Sequence, residues 1–109
     1  MQRDRDQLLA DATAAESAGA CGVVLECVPA EIASEITTTI SIPTIGIGAG
    51  PKCDGQVLVL HDLIGLSVDR IPRFVRSYAD TKGTVLDAVT SWRQDVEAKT
   101  FPSEAEILA

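Results

Sequence analysis

The chain has 109 residues, 46% hydrophobic and 4% aromatic, and its 16 acidic and 9 basic side chains give a net charge of -7. That length holds one core and falls short of the roughly 250 residues of a complete α/β barrel, while a core of Val, Ile, Leu and Ala suits a helix-covered parallel sheet. An acidic balance without a basic run argues against nucleic acid and anionic membranes as partners, and no apolar stretch reaches the ~18 residues of a membrane span.

The first residues, Met-Gln-Arg-Asp-Arg-Asp, lack the apolar core of a signal peptide, so a cytoplasmic protein is expected, forming a single domain over residues 1–109. Cys21, Cys27 and Cys53 show no Cys-x-x-Cys spacing and read as reduced thiols, mostly buried as small hydrophobes.

Residues 4–18 read as a helix with Leu8, Leu9, Ala12, Ala15 and Ala18 inward, an Asp4/Gln7 capping box and Gly19 as a left-handed stop. In Gly22–Cys27, the run Val23, Val24, Leu25 shows little alternation and predicts a parallel strand buried on both faces. Glu26 closes that run, and Pro29 suits the first position of a following helix, where its missing N–H costs nothing. Glu26 thus falls at the carboxyl end of a buried strand, where α/β barrels and open sheets place ligand-binding and catalytic groups. Alternatively it simply faces water as the strand emerges. Cys27 is expected on the opposite face from Glu26, and a nucleophilic role for it would need a His or a positive helix end close by, His61 being the only His.

A second helix over 30–40 presents Ile32, Ala33, Ile36 and Ile40, with the Thr37-Thr38-Thr39 triplet weakening its end. Residues 42–48 then read as a short strand with Pro43 at its first position, where a missing donor is tolerated, and helix, strand, helix, strand is the order of βα units. Gly46-Ile-Gly48-Ala-Gly50-Pro leaves that strand. It is no dinucleotide fingerprint, because the third glycine would fall on Pro51 and no helix opens there. Gly46, Gly48 and Gly50 either let a ligand approach the backbone or serve a tight loop. Residues 56–61 are β-prone and predict a third strand, although the link from Gly48 is too short for a crossover helix. Either one tight turn replaces that helix or the segment is itself helical. His61 and Asp62 read as a solvated imidazole and a cap rather than a dyad, no nucleophile standing near them in sequence. Helices are expected over 72–79, with Phe74, Val75 and Tyr78 inward, and over 84–99, with Val85, Val89, Trp92 and Val96 on one stripe and Gly83 as the break. Residues 101–109 read as an irregular tail.

Together, Val24-Leu-Glu-Cys-Val-Pro29, Ile42-Pro-Thr-Ile-Gly-Ile-Gly-Ala-Gly50, Cys53-Asp-Gly-Gln-Val-Leu-Val59, His61-Asp62 and Phe74-Val-Arg-Ser-Tyr-Ala-Asp80 resemble the C-terminal part of the ketopantoate hydroxymethyltransferase family. The resemblance implies an α/β fold: the last three strands, with flanking helices, of a (β/α)8 TIM barrel of the phosphoenolpyruvate mutase/isocitrate lyase type. It implies transfer of a hydroxymethyl group from 5,10-methylenetetrahydrofolate to 3-methyl-2-oxobutanoate on the route to pantothenate, with Mg2+ holding the keto acid and a homo-oligomer as the complete enzyme. Glu26 matches the family's proton acceptor.

The implied chemistry fits that placement. Removing a proton beside a ketone requires an enolate near neutral pH, which a metal at the keto oxygen stabilises while a positioned base takes the proton. The metal ligands of the family lie upstream of the matched motifs, so none is expected in this chain, and Asp54 and Asp62 match no ligand position. The chain is expected to be inactive without the N-terminal part of the barrel. A truncated, non-catalytic remnant or interaction fragment is the alternative, and a lyase of the wider superfamily is disfavoured by the Glu26 block.

Overall fold

The structure, a computed structural model, describes residues 2–108. Two compact units emerge, residues 1–59 with 73–75 and residues 60–72 with 76–109. Among the described residues no helix is long and apolar enough to cross a membrane.

In the first unit, α1 (Gln2–Ser17), β1 (Val23–Glu26), α2 (Ala30–Thr39), β2 (Thr44–Ile47) and β3 (Gly55–Gln56) follow in order, and the strands form a parallel sheet ordered β1-β2-β3. Ala12 of α1, Leu25 and Val28, the α2 stripe Ala33, Ile36 and Ile40, and Ala49 make the core. The α2 face is the one its 3.6-residue spacing predicts, and Ile36 is 0% exposed. Arg5 in α1 forks onto the Glu35 carboxylate of α2, with 2.8 Å from Nε to Oε2, which fixes the two helices side by side.

Several local expectations shift here. α1 begins at Gln2, so Asp4 lies within the first turn, and the Gln7 amide donates to Asp11 (2.8 Å) instead of completing a capping box. Gly19 does stop the helix, with φ +94° and with Gly19 N–H donating to Glu16 O and Ala20 N–H to Ala15 O. Pro29 is the N-cap of α2 rather than its first helical residue. All three threonines at the end of α2 turn their hydroxyls back onto helix carbonyls, the local competition that weakens a helix end. β1 is buried on one face only: Leu25 is in the core, whereas Val24 is 62% exposed. Nor are the cysteines mostly buried, since Cys21 and Cys27 are exposed. At Cys27 the backbone turns left-handed (φ +52°), ending the strand's alternation, and Val28 takes the inward position.

The third strand is only Gly55–Gln56. Its pairing with β2 ends where Val57 N–H donates to Gly46 O, because Gly48 (φ +64°) turns β2 away and leaves residues 58–61 no ladder to join. The tight link is made by residues 48–54. Asp54 anchors its end, accepting from Thr44 N–H (2.8 Å) while its own N–H donates to the Thr44 hydroxyl (3.1 Å), which in turn pairs with Thr37. Thr44, 0% exposed, is therefore a buried polar residue whose N–H and hydroxyl are both engaged.

The second unit holds a short helix α3 (Leu60–Leu63), a longer α4 (Thr81–Glu97) and a 3-10 turn at Glu104–Glu106. Residues 72–79 are not helical. Tyr78 N–H, which a helix would direct to Phe74 O, donates to Leu63 O at 2.7 Å, and the Ser77 hydroxyl reaches Asp62 O. Gly83 does not break α4 but sits in its first turn, its N–H capped by the Asp80 carboxylate at 3.0 Å, and a Cβ there would strike that carboxylate. The stripe of Val85, Val89, Trp92 and Val96 is present but half exposed, Trp92 meeting Phe101 edge-on.

Glu16, in the last turn of α1, accepts 2.7 Å from Ser41 N–H and also takes the Ser41 hydroxyl, tying α1 to the loop entering β2. The hydroxyl first, and the N–H second, hold the Glu16 carboxyl below its ordinary value. A depressed folded-state value means this link stabilises the fold above the free-glutamate value of about 4.3 and is lost as pH falls through the lower folded one. Protection of the Ser41 amide against hydrogen exchange should accordingly drop in that acid range and be weak at all pH values in Glu16→Gln. Protection of Ser41 that stays constant through that range would show the link carries no such dependence.

Candidate functional site

The register pairs Val23 with Thr44, Val24 with Ile45, Leu25 with Gly46 and Glu26 with Ile47. Laterally paired residues of parallel strands share a face. Val23, Leu25, Thr44 and Gly46 point to the helices, as the Thr44–Thr37 hydroxyl pair and the burial of Leu25 require. Val24, Glu26, Ile45 and Ile47 consequently share the opposite face, which no helix of this unit covers: Val24 and Glu26 are exposed, Ile45 and Ile47 half-buried. Glu26 is thus the one acid in an apolar quartet, at its carboxyl end.

Its carboxylate makes no hydrogen bond or ion pair with the described residues, in contrast to the acids with structural duties. Asp54 is committed to Thr44 at the opposite, amino end of β2, and Asp62 accepts from the Ser67 hydroxyl at 2.6 Å in the second unit. β1 pairs with β2 alone among the described residues. Along its other edge runs a cleft of about 270 Å3, bounded by Leu8 and Asp11 of α1 and reaching Val24 and Glu26.

The glycine loop leaves β2 at the same end as Glu26. Gly48 and Gly50 are left-handed (φ +64° and +80°), and both lie against protein. A Cβ at Gly48 would stand 2.8 Å from the Phe74 ring and one at Gly50 2.5 Å from Ala30 Cβ, while a Cβ at Gly46 would meet Cys53 Sγ at 2.9 Å. The Gln56 amide donates to Gly50 O at 2.9 Å and holds the loop closed. Close approach of backbone to protein thus accounts for each of the three glycines, whatever else passes over them. His61 is exposed on α3, with no hydrogen bond to Asp62.

Two residues of this end escaped the sequence reading. Phe74, expected inward on a helix, lies in a turn against Gly48, and nothing local signals that long-range packing. Ile47 stands beside Glu26 through the strand register, and the alternation Thr44-Ile45-Gly46-Ile47 carried that signal.

A sequence profile described as ketopantoate hydroxymethyltransferase matches residues 1–104. The chain belongs to the ketopantoate hydroxymethyltransferase family. Among curated relatives of that family it is 56% identical over 99 residues to a 3-methyl-2-oxobutanoate hydroxymethyltransferase of Geotalea daltonii, covering 91% of this chain and 37% of that protein. It is 53% identical over 105 residues to that of Chlorobium phaeobacteroides, covering 96% and 38%. The Mycobacterium ulcerans protein of the same name is 54% identical over 99 residues, covering 91% and 33%. The chain therefore spans well under half the length of these family members. Its parallel βα arrangement agrees with a segment of a larger α/β fold.

Proposed function

We propose that this chain is the proton-abstracting segment of a 3-methyl-2-oxobutanoate hydroxymethyltransferase, with Glu26 as the base. The observation that carries this reading is the placement of Glu26, a carboxylate without a structural partner among the described residues, on a part-open apolar face at the carboxyl end of β1. In this reading β1, β2 and β3 are the sixth, seventh and eighth strands of a (β/α)8 barrel, residues 1–109 form one partial domain of it, and the open face lines its interior. The remaining strands cover the free edge of β1 and the cleft beside it. The N-terminal part of the barrel is the partner this segment requires, and the complete enzyme is a cytoplasmic homo-oligomer.

The proton leaves C3 of 3-methyl-2-oxobutanoate for a Glu26 oxygen and the C–H electron pair passes into the enolate; C3 then bonds the one-carbon unit of 5,10-methylenetetrahydrofolate, water supplying the new hydroxyl as both C–N bonds break and tetrahydrofolate leaves. A base must lie within hydrogen-bond reach of that carbon, and the unengaged carboxylate is free to do so. The glycine loop, Gly46, Gly48 and Gly50, borders the same mouth. Mg2+ is the metal implied for the keto acid, but the described residues form no group of three or more His, Cys, Asp or Glu able to hold it. Asp54 and Asp62 are engaged elsewhere, so no step on this chain is routed through the ion.

Replacing the matched segment of the Geotalea daltonii protein with this chain tests the proposal. Formation of ketopantoate by the chimera, dependent on both the keto acid and methylenetetrahydrofolate, is the expected outcome. A chimera that folds and binds the keto acid yet forms no product would favour a non-catalytic remnant.

A further inference from the structure

We infer that Ile47 is a specificity-determining residue, the side chain of this chain that meets the branched alkyl carbon of the keto acid and sets the preference for two methyl groups at C3. The inference rests on Glu26 being the base. A base in position to react lies about 3–3.5 Å from the carbon that loses its proton. The two methyl carbons of 3-methyl-2-oxobutanoate are attached to that same carbon, one C–C bond of about 1.5 Å away. They cannot be presented to Glu26 without being presented to whatever flanks it.

The register names those flanking groups. Ile47 is the lateral partner of Glu26, on the same face and one strand spacing away, about 4.8 Å. Val24 shares that face two residues back along β1, about 6.6 Å away at the strand rise, and Ile45 lies on the diagonal, farther still. Distance thus favours Ile47, with Val24 as the floor. Ile47 is only half-buried, so part of its surface is open to a ligand, and the helix-side core is on the other face. Branching at Cβ restricts its χ1, which makes the wall stiff. Such a wall contacts a tertiary carbon bearing two methyls well, one bearing a single methyl less, and a methyl ketone hardly at all. A hydrophobic contact of one methylene discriminates by roughly 10–200-fold.

The test measures solvent deuterium exchange into pyruvate, 2-oxobutanoate and 3-methyl-2-oxobutanoate, catalysed by the complete barrel containing all 109 residues of this chain. In Ile47→Ala, kcat/KM should fall about tenfold or more for 3-methyl-2-oxobutanoate, less for 2-oxobutanoate and least for pyruvate, compressing the preference. Ile47→Val, which removes one carbon and keeps the branch, should compress it in the same order by a smaller factor, and it covers the case in which the alanine variant fails to fold. Equal factors for all three keto acids, or an unchanged preference in a folded variant, would overturn the role of Ile47. Glu26→Gln separates the two layers: exchange lost with every keto acid in that variant, while the Ile47 variants leave the preference unchanged, removes this inference alone. Exchange surviving in Glu26→Gln removes the base assignment and the inference with it.

Discussion

Glu26→Gln, in a barrel completed around this chain, should reduce exchange of the C3 proton of 3-methyl-2-oxobutanoate by at least about a hundredfold, the low end of what a positioned general base contributes. The amide keeps the size of the side chain and loses its basicity. The surroundings make the variant a clean one: the Glu26 carboxylate holds no cap, ion pair or buried donor among the described residues, so replacing it leaves no group unsatisfied. Substrate affinity, measured by calorimetry with the keto acid, should change little. Asp54→Asn supplies the contrast. It keeps an oxygen for Thr44 but exchanges a charged acceptor for a neutral one, so its effect should fall on the β2–β3 link and the thermal transition. Exchange at the unaltered rate in Glu26→Gln would remove Glu26 from the chemistry.

What was legible in the sequence was what short stretches determine. The α2 face follows from the spacing of Ile32, Ala33, Ile36 and Ile40, and β1 and β2 follow from apolar runs bounded by glycine and proline. The site's acid was legible for the same reason, as a charged residue closing an apolar run just before a proline. The failures are all places where a distant partner decides. The β-prone run 56–61 needed a strand to pair with, and Gly48 had already turned β2 aside. The run 72–79 has a helical pattern, but its donors are taken by Asp62 and Leu63. Gly83 has the residue type of a stop, but the Asp80 carboxylate three residues before it caps its N–H and needs the space a Cβ would fill. Cys27 is small and apolar enough to suit a core, but the chain turns left-handed there and leaves it exposed, which residue type does not signal. Register lies between these cases: the faces of β1 and β2 can be read from each strand alone, but the pairing of Glu26 with Ile47 belongs to neither strand by itself.

Purified alone, the 109 residues should not behave as a cooperative monomer. The buried core lies wholly between Ala12 and Ala49, and no described residue beyond Ala49 is buried. In the second unit α4 turns a half-exposed apolar stripe outward, with Val89 and Trp92 each 55% exposed. In the first, the face bearing Val24, Ile45 and Ile47 is only partly covered, with Val24 exposed and both isoleucines half-buried, and the far edge of β1 has no strand beside it among the described residues. Each Val, Leu or Ile left in water forgoes about 1.5–3 kcal/mol that burial would supply, and a domain's whole stability is only about 5–15 kcal/mol, so a handful of such residues decides the outcome. An unpaired parallel edge adds a row of free N–H and C=O groups that invites a second chain. Light scattering should therefore report species larger than one chain, and the thermal transition should be broad. Co-expression with the upstream portion of the Chlorobium phaeobacteroides protein should give a soluble one-to-one complex with a sharp transition, because the missing partners then come from the surface to which β1 is open. A lone chain that is monomeric and unfolds in a single sharp step would mean that these apolar surfaces find their partners within the 109 residues, and would count against the partial-barrel reading.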